Sequence, residues 1–326
     1  DIALYTGNGS TQNITGLAFS PDWVWTKARS FAENNNVFDT VRGVTKLLLT
    51  DQVNAEQTIS GITAFNSDGY TVGSHVSCNS NGQTYVAWAW DAGTSTVSNT
   101  QGSITSQVRA NPTAGFSVVT GTTPATNTFT IGHGLNAEPY FIIVKVRNQA
   151  YNWDVYHKSL GNTGRLVLNS TNANSTTANA WGSTTPTSSV FTMGGNGTWY
   201  SSGDTFVAYC FSPVVGYSAM GSYQASSGLP FVYLGFKPKL LLIKNITSSS
   251  TSWRLMDSAR DTFNDGSGAY WLKPNTSDAE VDERPIDFLS NGFKLRMTDG
   301  GDLNYSSDTY IYAAFAEAPF NYARAR

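Results

Sequence analysis

Three stretches decide how this chain folds: Pro21-Asp-Trp-Val-Trp-Thr-Lys27, Pro139-Tyr-Phe-Ile-Ile-Val-Lys145 and Pro238-Lys-Leu-Leu-Leu-Ile-Lys244. Each is a proline, an apolar or aromatic run, and a lysine six positions on. A second landmark follows: Val37-Phe-Asp39, Trp153-Asp-Val-Tyr-His157 and Trp253-Arg-Leu-Met-Asp257. A closing run completes each set: Thr84-Tyr-Val-Ala-Trp-Ala-Trp90, Thr205-Phe-Val-Ala-Tyr-Cys-Phe211 and Thr309-Tyr-Ile-Tyr-Ala-Ala-Phe315. Landmarks recurring in one order at a period of roughly 100 residues signal an internal repeat.

The runs are short, aromatic and β-branched, and Gly, Asn, Ser and Asp separate them, which is the pattern of strands and turns. Asp68-Gly69 and Asn291-Gly292 are hairpin signals. In the first closing run both alternating sets are apolar, Tyr85/Ala87/Ala89 and Val86/Trp88/Trp90. That predicts a strand covered on both faces. The fold class expected is all-β, with three tandem repeats of a small β-sandwich or jelly-roll unit, standing as beads or, as their closeness favours, packed in a pseudo-threefold body. The expected division is 1–92, a Ser/Thr-rich linker at 93–114, repeats at 115–215 and 216–320, and a tail at 321–326. The one helical candidate is a turn around Thr50 to Thr58. The landmark lysines Lys27, Lys145 and Lys244 read as strand-end charges in solvent, with a repeated contact to a carboxylate as the alternative.

Of the 326 residues, 13% are charged, about half the usual share. Ser, Thr and Asn fill roughly 100 positions instead. The balance of 20 Lys+Arg against 23 Asp+Glu argues against nucleic acid as a partner. The longest apolar runs fall short of the roughly 18 residues a membrane span needs. Two cysteines, Cys78 and Cys210, are too few for a disulfide-stapled mini-domain. Cys210 reads as buried and Cys78 as exposable. The start at Asp1 reads as processing or truncation.

Catalytic motifs are missing from the sequence: no nucleophile elbow, phosphate-binding loop, dinucleotide fingerprint or Cys-x-x-Cys pair. His75, His133 and His157 stand in unlike contexts. His133 reads as a loop residue. His157 occupies the place of Asp39 and Asp257, which suggests a shared hydrogen-bonding role near the sandwich surface. Asp278, Glu280, Asp282, Glu283, Asp287, Asp299 and Asp302 form an acidic stretch in the third repeat. It suits a solvated loop, a calcium ion held with backbone carbonyls, or a glycosidase pair. No other cofactor is expected. The candidate ligand-binding residues are Trp181, Trp199, Tyr200 and Trp271, rings set among Ser, Thr, Asn and Gly. Such a setting suits rings that cap the sandwich ends, subunit packing, or stacking on sugar faces.

The runs Phe19 to Lys27, Phe38 to Lys46, Phe65-Asn-Ser-Asp-Gly-Tyr70 and Asp287 to Lys294 resemble those of a large group of marine bacteriophage proteins. These proteins are encoded among virion structural genes and labelled tail-fibre-like. The resemblance covers most of the chain and is weakest in the second repeat. It carries over no site residues. The unit is also similar, loosely, to concanavalin-like and SPRY-type sandwiches, which bind sugars or peptides. What the resemblance implies is a non-enzymatic virion protein: a tail fibre, spike or head decoration. Its partners would be other virion proteins and a host surface glycan, and its expected state is a homo-oligomer, a trimer foremost. The alternatives are a polysaccharide depolymerase or glycosidase, and a purely structural shell or surface-layer subunit.

Overall fold

The structure is a computed structural model. It describes residues 1–176, 179–195, 200–261, 269–283, 286–296, 303–305 and 307–316. The expected tail at 321–326 lies outside the described residues. The fold is all-β, in antiparallel sheets.

The first large sheet runs Ile2–Thr6, Thr84–Trp90, Trp23–Ala28, Asn36–Asp39, Lys46–Leu49, Gln57–Thr58. The third runs Ser218–Gln224, Thr309–Ala316, Pro238–Asn245, Arg254–Asp257, Ala269–Leu272, Val281–Glu283. The second repeats this order as Phe116–Thr122, Thr205–Phe211, Phe141–Val146, Trp153–His157, Leu166–Val167. In each, the closing strand sits between the opening strand and the Pro-to-Lys landmark strand. A small sheet accompanies each large one: Gln12–Thr15, Gly69–Val72, Ile62–Asn66 in the first unit; Thr128–Gly132 with Val190–Gly194 in the second; Phe231–Tyr233, Gly292–Leu295, Ile286–Leu289 in the third.

Side chains alternate across a strand, so a strand covered on both faces serves two cores. Val86, Trp88 and Trp90 enter a core shared with the other two large sheets. Ala87 and Ala89 enter the first unit's own core, against its small sheet. The second and third units each have a comparable private core. The shared core has a hub of three rings from matching places in the closing strands: Trp90, Phe211 and Phe315. Their centroids are 6.1, 5.8 and 5.5 Å apart, a near-equilateral triangle. Each ring of this size buries about 150–250 Å², and at about 25 cal/mol per Å² that is several kcal/mol per ring. The units therefore meet as one body rather than as beads on a string.

Four expectations need correction. The supposed linker is structured: Thr96–Asn99 and Ser106–Asn111 extend the second large sheet. Most of its Ser and Thr residues are exposed, while Ser106 and Val108 are buried and Arg109 reaches Asp22 of the first unit. The segment around Thr50 is no helix but a docking loop that ends in the strand Gln57–Thr58. Cys78 is buried like Cys210, and both are free thiols in separate cores.

The landmark lysines are the fourth. Lys27, Lys145 and Lys244 are fully buried, not solvated, and each ammonium is held by main-chain carbonyls. Lys145 Nζ donates to Val146, Val53 and Gln149. Lys244 Nζ donates to Asn245, Thr251 and Thr171. Lys27 Nζ donates to Ala28 at 2.9 Å and to Ser277 at 3.4 Å. One acceptor in each set, Val53, Thr171 or Ser277, belongs to a loop of another unit. The loops run in a cycle: first onto second, second onto third, third onto first. Three donors have no room to find water here, so carbonyls must take them. Burial lowers all three amines to about 8.

Candidate functional site

The buried ionisable groups sit at the junctions between units. Where the first unit's loop docks on the second, Glu56 binds Arg147 side-on, with both contacts at 2.9 Å, and Arg42 at 3.0 Å. Arg42 also pairs with Asp39, and both side chains are inaccessible to solvent. Tyr209 of the second unit donates to Asp39 at 2.8 Å. Burial alone would raise the Glu56 carboxyl, but Arg147 and Arg42 outweigh it and hold the group below its ordinary value.

The junction of third unit with first repeats this set. Glu280 binds Arg29 side-on and Arg260 at 2.9 Å, Arg260 pairs with Asp257, and Trp88 Nε1 donates to Asp257 at 2.9 Å. The junction of second unit with third has none of these charges. Asn174 stands for the glutamate and Ile246 for the arginine, yet the same main-chain bond forms, Asn174 N–H to the Ile246 carbonyl at 3.0 Å. The matching bonds are Glu56 N–H to Arg147 and Glu280 N–H to Arg29. His157 stands for the aspartate, and its Nε2 meets the Tyr312 carbonyl at 3.1 Å while Nδ1 accepts from Ser159 N–H. That pattern requires the neutral ring, and burial accordingly pushes its pKa down to about 4. His157 therefore lies deep between units, not near the sandwich surface. These charges are consumed in holding the body together, and no carboxylate pair among them is left open to a substrate.

Of the sequence-predicted ring residues, Trp181, Tyr200 and Trp271 are buried against the chain itself. Trp181 is buried and donates through Nε1 to the Gly164 carbonyl at 3.0 Å. Tyr200 is buried, with its hydroxyl on the Asn127 carbonyl at 3.0 Å. Trp271 is buried beneath the Arg254 guanidinium, 3.8 Å from its ring centre. Trp181 and Tyr200 join the private core of the second unit and Trp271, on the strand Ala269–Leu272, that of the third, because a ring gains more by covering apolar atoms than by facing water. Trp199 lies outside the described residues. The acidic stretch is dispersed: Asp278 pairs with Lys273, Glu280 with two arginines, and Asp287 with Arg296. Asp299 and Asp302 lie outside the described residues. Among the described residues no group of three or more His, Cys, Asp or Glu is placed to hold a metal ion. His133 is buried and bonded to the Thr187 carbonyl, with its pKa pushed by burial to about 4.

Two surface features were missed from the sequence. On the edge strand Phe231–Tyr233, Phe231 is 45% exposed and Tyr233 68%, while Val232 between them is buried. The two rings face outward together. Tyr233 stands opposite Gly292, which has no side chain to cover it. The outward positions of the sister strands are Asn13 and Thr15, and Thr128 and Thr130. Lining up the three units would have marked the aromatic pair as the odd one out. The second feature is an open groove of about 560 Å³ beside the added hairpin of the second sheet.

No curated protein and no solved structure matches this chain. The model of a family described as a domain of unknown function, DUF7483, matches residues 1–319. The chain, with its closed set of three sheets and cyclic docking loops, belongs to that family.

Proposed function

We propose that this protein is a non-enzymatic structural component of a bacteriophage virion, set on the particle surface, where it contacts a host glycan or a neighbouring virion protein. The observation that carries the contact role is the outward pair Phe231 and Tyr233, held on a strand where the first unit presents Asn13 and Thr15 and the second Thr128 and Thr130. Exposed rings on a fixed edge suit the apolar C–H face of a sugar or a partner's aromatic patch. The virion assignment rests on the sequence resemblance. It is supported by a body whose buried charges are committed to internal clamps, as a durable particle subunit requires.

Two measurements test this reading. Mass spectrometry and immunogold labelling of purified particles should find the protein on the surface; particles that lack it overturn the assignment. A glycan array with the unmodified protein and the Phe231→Thr/Tyr233→Ser variant should show binding that the variant loses. Array binding that survives the double substitution removes the aromatic pair from the contact. Light scattering completes the picture. A mass near three times 35.2 kDa favours a fibre or spike built from trimers, and a single-chain mass favours a decoration subunit.

A further inference from the structure

We propose that the groove beside the hairpin Thr96–Asn99/Ser106–Asn111 binds an anionic saccharide, one carrying a carboxylate on a hydroxyl-rich ring. This site is separate from Phe231 and Tyr233. Four observations lead to it. The groove is built by the segment that has no counterpart in the other two large sheets, whose outer strands are Ile2–Thr6 and Ser218–Gln224 at the matching edge. Its volume, about 560 Å³, falls within the range of small-ligand sites.

Its lining is polyol chemistry. The hairpin segment contributes Ile104, Thr105 and Gln107, the strand Phe116–Thr122 its last three residues, and Thr205 and Arg147 complete the lining. Threonine hydroxyls both donate and accept, which matches sugar hydroxyls, and Ile104 with the threonine methyls suits the C–H faces. Gln107 is oriented by its Nε2 bond to Ser98 Oγ at 2.9 Å, which leaves its carbonyl oxygen for a ligand hydroxyl.

The charge selects an anion. Arg147 is the ionised residue of the lining, and no acid lines the groove. Its Nε and Nη2 are taken by Glu56, and Nη1 has no partner among the described residues. Glu56 divides its charge between Arg147 and Arg42. A ligand carboxylate on Nη1 completes the pairing through a charge-assisted bond, stronger than a neutral one.

The test uses the full chain and isothermal titration calorimetry at low salt, with tetragalacturonate as the anionic probe and cellotetraose as a neutral probe of similar length. Tetragalacturonate is expected to bind at least about tenfold more tightly than cellotetraose. Gln107→Trp and Thr122→Trp, at exposed positions, fill the groove without touching the Glu56 clamp; each should weaken binding by about tenfold or more with an unchanged melting curve. Arg147→Gln should erase the preference for the anion, and Phe231→Thr should leave it intact. No saturable binding by the unmodified protein overturns the proposal. So does equal affinity for the two probes, or binding indifferent to both tryptophan variants. Binding lost through Phe231→Thr alone would assign the saccharide to the third small sheet and overturn the groove.

Discussion

The junction of first unit with second and the junction of second with third use the same backbone geometry and opposite chemistry. In both, a buried lysine holds the incoming loop by its carbonyl, Val53 or Thr171. In both, an indole donates to the end of the neighbouring strand, Trp153 to Leu49 at 2.7 Å and Trp253 to Val167 at 3.0 Å. The first junction then adds Asp39, Arg42, Glu56, Arg147 and Tyr209. The second has His157, Leu160, Asn174, Ile246 and Ala313 in the corresponding places. The difference teaches that these residues change as a set. A buried charge without its partner costs far more than the complete network contributes, so a neutral junction must be neutral throughout. Main-chain bonds fix the docking geometry, and the side-chain network is an overlay on it.

The largest expected effect comes from breaking a charged junction. Glu280→Ala takes the carboxylate from Arg29 and leaves Arg260 with Asp257 alone, and should lower unfolding free energy by about 3 kcal/mol in urea. Asn174→Ala, at the matching neutral place, should cost about 1 kcal/mol or less. Equal costs would end the comparison. His157→Asp is next. It buries a carboxylate beside Leu160 with no guanidinium, and about 3 kcal/mol should be lost. Adding Leu160→Arg should recover part of that, because it restores the pairing seen at Asp39 and Asp257. A smaller effect, about 1.5–3 kcal/mol, is expected for Tyr209→Phe, which removes the donor to Asp39.

The pH dependence sharpens what all three junctions share. Each landmark lysine has its pKa lowered to about 8 by burial, against 10.5 unfolded. Between those values each lysine binds more protons in the unfolded chain than in the folded one, so its contribution to stability rises with pH. Below about 8 the folded state bears the full cost of the buried ammonium. The buried thiols of Cys78 and Cys210 and the buried phenols, raised by burial, act in the opposite sense towards pH 10, so the lysine share is read as the difference between wild type and a lysine variant from pH 8 to 10, at most about 1.4 kcal/mol per pH unit for each lysine. Lys145→Met should remove one lysine's share and leave the other two. Identical pH profiles for wild type and Lys145→Met would mean the carbonyl cage solvates the ammonium as well as water does.

Much of the architecture was legible because it rests on local pattern. Alternation in Thr84–Trp90 announced a strand with two covered faces, and the repeated Pro-to-Lys runs placed the central strands of all three sheets. The sites were less legible. Trp181, Tyr200 and Trp271 carry the composition of ligand rings, but composition does not say which atoms lie against a ring, and here they are the chain's own. Phe231 and Tyr233 look like any strand residues until their neighbours are known. The groove arises from the hairpin at 93–114, which polar composition disguised as a linker. A strand near a sheet edge needs only one apolar face, and Val108 with Ser106 is enough to seat Ser106–Asn111 between its neighbours.

By itself the sequence determined the secondary structure and its period, since strand formation and turn placement depend on residues near each other in the chain. It also determined that few charges exist to be placed. Only the tertiary structure decided what those charges do. Lys27, Lys145 and Lys244 are identical in local context to solvent-facing strand ends. Their burial depends on loops from other units more than 70 residues away, such as Thr171 for Lys244 and Ser277 for Lys27. A carbonyl cage and a three-ring hub are contacts between distant segments, and closing those distances is the work of packing rather than of local preference.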